Sequence, residues 1–197
     1  MGQMALFGRT EPSRCDRTFS CLERVALRDG AWIEMARGWL AGDAQVFDEL
    51  LRGLPWRAER RVMYEREVDV PRLYAELSSG KESLPIIEQM RAALDAQYRC
   101  SFARTSFALY RDGNDSVAWH GDYVAREMQE ALVATISVGA PRKFLLRPTA
   151  GGRSMALSLG WGDLLVMGGT CQRTYRHAIP KVRQADPRIS IMLRPVW

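Results

Sequence analysis

The chain holds two histidines, and each stands where it can do metal chemistry. The first belongs to Trp119-His120-Gly121-Asp122. In an extended segment, side chains two residues apart point to the same face, so His120 and Asp122 present an imidazole nitrogen and a carboxylate side by side. The second, His177, lies 57 residues downstream in Tyr175-Arg176-His177-Ala178-Ile179-Pro180. Two imidazoles and a carboxylate on one face of a metal leave the opposite positions open, which is the donor set of non-haem iron(II) oxygenases. A His-x-Asp triplet alone is weak evidence, because short motifs arise by chance. The second histidine, ending an apolar run, makes the three a candidate site.

A further set of residues has the chemistry of anion recognition. In Arg188-Ile189-Ser190-Ile191-Met192-Leu193-Arg194, both arginines share a strand face with Ser190 and Met192. A buried guanidinium needs carboxylate partners, which it binds through two parallel hydrogen bonds. Two readings stand at this point: a small dicarboxylate held by the strand, or ion pairs with acids of the same chain.

Elements able to position these residues are visible in the hydrophobic pattern. The first thirty residues are polar, Arg-rich and aperiodic, and read as an irregular leader; Ala31 to Leu40 suggests a strand. From Asp43, read as an N-cap, Val46, Phe47, Leu50, Leu51 and Leu54 recur at helical spacing before Pro55. A second helix is predicted from Ser83, with Ile87, Met90 and Leu94 on one face and Tyr98 near its end. Short apolar runs follow at Ser106–Arg111, Val117–His120, Val133–Val138, Lys143–Arg147, Met155–Leu159, Leu164–Met167, Gln172–His177 and Arg188–Arg194. Eight short strands separated by turn residues predict an α+β domain with a mainly β core: a double-stranded β-helix, or jelly roll, with the N-terminal helices packed on it. Residues 1–197 read as one domain, with a leader over 1–30, helices and a charged, aromatic stretch between them over 31–100, and the jelly-roll core over 101–197.

Composition narrows the context. No window approaches the ~20 apolar residues of a membrane helix, and no basic segment precedes an apolar run at the N-terminus. The expectation is a soluble, cytoplasmic monomer. Cys15, Cys21, Cys100 and Cys171 are widely spaced without Cys-x-x-Cys pairs, and read as free thiols. The net charge of +5 suits a polyanionic partner and is equally ordinary for a protein with none, although 25 of the 28 basic residues are arginines.

Several blocks, taken in order, carry a resemblance. Tyr110-Arg111-Asp112-Gly113, His120-Gly121-Asp122, the run from Ser137 to Phe144, Gly162-Asp163-Leu164-Leu165-Val166-Met167, Tyr175-Arg176-His177 and Arg188 to Arg194 resemble the AlkB family. Weaker similarity extends to Trp56-Arg57 and Val70-Pro71-Arg72-Leu73. The resemblance implies that His120, Asp122 and His177 bind iron(II). It implies that Arg188, helped by Tyr110, grips the far carboxylate of 2-oxoglutarate, with Ser190 on the same strand face and Arg194 near the cosubstrate's other end. Oxygen is then the second cosubstrate, and the substrate is an N-alkylated base of DNA or RNA, presented single-stranded or flipped out of a duplex.

By the same resemblance, Trp56 to Arg72 occupies the place of a nucleotide-recognition lid, and carries Arg57, Arg60, Arg61, Tyr64, Arg66 and Arg72. Tyr64, Glu127 and Arg147 are the candidate substrate contacts. Departures are specific. Ala108 stands where the family commonly has asparagine, Ser190 and Met192 replace the usual Asn and Thr, and Val124 replaces an acidic residue that contacts the base. These departures leave two alternatives: an oxygenase acting on a protein or small molecule, and a nucleic-acid-binding protein with an inactive pocket.

Overall fold

The computed structural model describes residues 12–63, 66–77, 84–122 and 130–195, and the side chains of all of these except 60–63 and 66–69. Along the chain come β1 (Arg14–Cys15), β2 (Leu22–Ala26), β3 (Ala31–Ala36), β4 (Leu40–Ala41), α1 (Asp43–Gly53), β5 (Arg57–Met63), β6 (Arg66–Glu76) and α2 (Pro85–Tyr98). There follow β7 (Arg104–Tyr110), β8 (Val117–His120), β9 (Val133–Gly139), β10 (Arg142–Pro148), β11 (Met155–Leu159), β12 (Asp163–Gly169), the single turn α3 (Cys171–Thr174), β13 (Tyr175–Ile179) and β14 (Arg188–Arg194).

The described strands form three antiparallel sheets: β1 paired with β4, and two larger sheets consistent with a jelly roll. The major sheet has the order β2-β3-β12-β9-β14-β7-β6-β5, and the minor sheet β11-β10-β13-β8. Strand alternation assigns each residue of β14 to a layer. Ile189, Ile191 and Leu193 join one apolar cluster with Val46 and Leu50 of α1 and with Ile87, Met90 and Leu94 of α2. Met192, on the opposite face of β14, belongs to a second cluster, where Ala108, Leu165 and Met167 of the major sheet meet Phe144, Leu146 and Ile179 of the minor one. Side chains of α1 and α2 thus share one apolar cluster with this face of β14, and the interval between the two larger sheets holds the residues with chemistry.

Loops at one end of the minor sheet are tied by a buried cation. Arg142 donates to the backbone carbonyls of Asp112, Asp115 and Pro180, which joins the entry to β8 with the exit from β13. Gly113 lies in this knot: a Cβ there would sit 2.3 Å from the carbonyl oxygen of Val182, whose N–H donates to the carbonyl oxygen of Gly113. Gly113→Ala is therefore expected to cost about 2–3 kcal/mol through forced backbone displacement. Gly53→Ala, at the end of α1 with nothing within 4 Å of the added carbon, is expected to be neutral or stabilising by up to about 1 kcal/mol. Urea unfolding of the two variants checks this, and equal midpoints would contradict it.

Differences from the sequence expectations lie at the sheet margins. The stretch read as an irregular leader contains β1, β2 and a single 3-10 turn at Arg28–Gly30. β2 is an edge strand, exposed along four of its five residues, so it carries no apolar alternation and is held through its backbone pairing with β3. The strand expected over Ala31 to Leu40 is broken by a turn into β3 and β4. The N-cap of α1 is Gly42 rather than Asp43, whose carboxylate accepts from Gly139 N–H. The second helix starts at Pro85, a favoured first position because proline has no N–H to leave unpaired. Residues 31–100, read as helices and a lid, hold the two helices and about as many strand residues: the segment read as a lid falls in the β5–β6 hairpin, which extends the major sheet beyond β7. The strand expected to begin at Gln172 begins at Tyr175, because Cys171–Thr174 forms a helical turn instead.

Candidate active site

β13 and β8 are neighbours in the minor sheet, with His177 and His120 as direct cross-strand partners. The register then jumps to Ile179 opposite Val117, so β8 carries one extra residue. That bulge lets Val117 and His120, which strict alternation would send to opposite faces, both reach the same cavity. Asp122 follows two residues after the strand ends. The donor atoms of His120, Asp122 and His177 all lie within 4.8 Å of one another, the one such group among the described residues.

Each of the three side chains is held in the form that metal binding would require. His120 Nδ1 is 2.8 Å from the carbonyl oxygen of Ala118. A carbonyl only accepts, so Nδ1 carries the proton and the Nε2 lone pair remains for coordination. His177 is buried and stacked on Phe144, with ring centroids 5.3 Å apart. Desolvation, reinforced by the neighbouring His120, pushes its pKa down to about 3, so the imidazole is neutral at physiological pH. Burial works against the charge of Asp122, but the Arg194 guanidinium beside it prevails and holds the carboxyl below its ordinary range. Arg194 Nε donates to Asp122 Oδ2 at 2.7 Å and its Nη1 to Ser106 Oγ at 2.8 Å. Gln172 Oε1 accepts from the Asp122 N–H, which gives the helical turn α3 a role in aiming the ligand. Two neutral imidazoles and one ionised carboxylate fit iron(II) or a similar divalent ion.

Beside the triad the cavity has a volume of about 500 Å³, and Tyr110, Thr135, Ser190, Met192 and Arg194 form part of its wall. Arg188 stands behind that wall, fully buried, with its guanidinium carbon 5.4 Å from the centre of the Tyr110 ring. Its Nη2 donates to Ser137 Oγ at 2.6 Å, while Nε and Nη1 have no partner. Desolvation pushes its pKa down to about 10, the mark of a buried cation with unmet donors. A carboxylate fits this deficit, and the reading in which Arg188 pairs with an acid of the same chain does not hold among the described residues. For Arg194 that reading does hold, through Asp122.

Other expected contacts are distributed differently. Tyr64 and Glu127, like Val124, lie outside the described residues. Arg147 is not on the cavity wall; its guanidinium carbon sits 4.0 Å from the centre of the Trp119 ring. Arg72, read in the sequence only as a lid residue for phosphate, is buried in the cavity wall, donates to Tyr110 Oη at 3.3 Å and lies 3.7 Å from Glu59. Glu59 and Tyr74, also from the hairpin, line the cavity too. No spacing signal distinguishes them from surface positions of a charged hairpin. Gln172 and Ser137 carry no sequence signal as ligand-supporting residues either.

Comparison with known proteins gives concordant results. Residues 70–194, well over half of the chain, match the family model described as the 2OG-Fe(II) oxygenase superfamily. The chain is 28% identical over 174 residues to bovine (Bos taurus) alpha-ketoglutarate-dependent dioxygenase alkB homolog 3, covering 77% of this chain and 61% of that protein. It is 24% identical over 127 residues to human (Homo sapiens) DNA oxidative demethylase ALKBH2, covering 60% of this chain and 49% of the relative. The chain thus spans about three-fifths of the length of the first of these relatives. Among solved structures, OsALKBH1 superposes with a TM-score of 0.61 at 14% identity, covering 88% of this chain and all of that one. An oxidoreductase of the 2OG-Fe(II) oxygenase family from Burkholderia pseudomallei gives 0.56 at 16% identity, covering 82% and 84%.

Proposed function

We propose, from the premise that this chain is an AlkB-like member of the 2OG-Fe(II) oxygenase superfamily, that it removes alkyl groups oxidatively from nitrogen atoms of nucleic-acid bases. The observation that carries the reading is the gathering of His120, Asp122 and His177 on one cavity whose far side is backed by the unsatisfied Arg188. Iron(II) held by the three ligands, with 2-oxoglutarate and dioxygen, supplies oxidation of a nearby carbon and leaves succinate and carbon dioxide.

The chain's own residues bind and orient. Arg188 draws the far carboxylate of the cosubstrate toward Tyr110 and Ser190, where two charge-assisted hydrogen bonds meet its unmet donors. Arg194 keeps Asp122 ionised and aimed at the metal. His120 is locked in one tautomer by Ala118, and Phe144 packs on His177 and keeps water from its buried face. On the hairpin side, the Tyr74 ring offers an aromatic surface to a base that enters the cavity. Hydroxylation of an N-alkyl carbon yields an unstable product that splits into an aldehyde and the restored base.

Nucleic acid as substrate is supported by the similarity to a DNA oxidative demethylase and by the net charge of +5. The test is formaldehyde production by iron-loaded protein given 2-oxoglutarate and a single strand carrying 1-methyladenine or 3-methylcytosine. Formaldehyde in step with succinate is expected. Succinate with no formaldehyde from either strand would move the search to protein or small-molecule substrates, a possibility the departures at Ala108 and Met192 keep specific.

A further inference from the structure

We infer that the outward face of the minor sheet is a track for the phosphodiester backbone of the single strand whose base enters the cavity; the inference rests on the reading of a nucleic-acid substrate. Register assigns the face. On β10, Phe144 and Leu146 point into the inter-sheet cluster, so Lys143, Leu145 and Arg147 point out. Their partners on β11 are Ser158 and Ala156, and on β13 Ala178 and Arg176. Trp119 of the bulged edge strand β8 completes the face.

Those outward positions carry three cations, one indole and no acidic side chain. Several arginines elsewhere are matched with acids, as in Arg24–Glu34, Arg37–Asp163, Arg111–Asp115 and Arg194–Asp122, while others are solvated singly; here three cations share one face. Lys143, Arg147 and Arg176 have no ion pair among the described residues. Arg147 and Arg176 are moreover direct cross-strand partners, an opposition of like charges that disfavours the sheet by itself. Arg147 reaches past β13, the strand between β10 and β8, to lie over the Trp119 ring at 4.0 Å. Its planar guanidinium is thereby held with its edge donors free for phosphate oxygens, which it matches bidentately.

The place of the face matches its role. Trp119 immediately precedes His120, so a backbone phosphate seated on Arg147 and Arg176 lies on the other side of the same strand edge as the metal ligands. A strand following this face can send one base round β8 into the cavity, with neighbouring phosphates neutralised outside.

The test measures binding of the iron-loaded full chain to an unmethylated, fluorescein-labelled single strand of about fifteen nucleotides across a potassium chloride series, by anisotropy. The slope of log Kd against log salt falls by about 0.7 for every phosphate that the protein ceases to neutralise. Arg147→Ala/Arg176→Ala should therefore lower the slope by about 1.4 and weaken binding at low salt on the order of tenfold. Arg147→Lys/Arg176→Lys, which keeps both charges, should retain most of the slope. The inference is overturned if the alanine pair binds with the wild-type slope, if wild-type binding is independent of salt, or if poly-glutamate competes as well as the strand does. Because binding of an unmethylated strand needs no turnover, failure here leaves formaldehyde release untouched, and failure of that release leaves the salt slope to stand or fall by itself.

Discussion

An Asp122→Ala variant is expected to bind iron(II) more than roughly a hundredfold more weakly than the parent and to lose turnover, while keeping its fold. Outer partners of metal ligands alone are worth about 10- to 100-fold in affinity, so loss of a ligand itself exceeds that range. The fold survives because Asp122 lies at a cavity wall, not in either apolar cluster. Arg194, deprived of its carboxylate, keeps the hydrogen bond to Ser106 and gains access to water. Anaerobic calorimetric titration with iron(II) reads the affinity and circular dichroism the fold. Affinity within a few-fold of the parent would remove Asp122 from the metal site.

Arg188→Leu is expected to raise the 2-oxoglutarate concentration for half-maximal turnover by about two orders of magnitude, since two charge-assisted hydrogen bonds supply roughly 2–4 kcal/mol. A second effect has the opposite sign. In the ligand-free protein Arg188 is a buried cation with two unmet donors, and the apolar leucine removes that penalty, which offsets the cavity left by its three fewer heavy atoms. The variant should therefore melt no lower than the parent without ligand, and should lack the stabilisation that 2-oxoglutarate confers on the parent, about 2.7 kcal/mol at a hundredfold excess over Kd. Thermal melts with and without 2-oxoglutarate separate the two effects. A variant that still gains the parent's full shift would show that another group, Arg72 foremost, holds the carboxylate.

What is legible in the sequence is what periodicity and chemical type encode directly. Alternation along Arg188–Arg194 places its arginines on one face and its Ile and Leu residues on the other, because a strand between two apolar clusters must satisfy both. The His-x-Asp spacing and the distant histidine are legible as a candidate metal site because metal chemistry restricts residue type, and the fold brings the three donors within 4.8 Å of one another. Edge strands are not. β2 is exposed along most of its length, and such a strand is held by backbone bonds that leave no mark on the pattern. Residues acting through register are also hidden: Gln172 reaches Asp122 across fifty positions, and Arg147 faces away from the cavity because its parity on β10 is opposite to that of Phe144. In the sequence Arg72 is one of many lid arginines, and only the packing of β6 on β7 shows that it is buried beside Tyr110.

The central claim is that His120, Asp122 and His177 hold an iron that works with 2-oxoglutarate, and it is tested most directly by measuring succinate released in air from 2-oxoglutarate by metal-free and iron(II)-reconstituted protein. Succinate that appears only with iron, and disappears in Asp122→Ala, is the expected result. Iron bound at one equivalent with no succinate at any 2-oxoglutarate concentration, with or without a methylated strand, would contradict the claim and leave a metal-binding pocket without oxygenase chemistry.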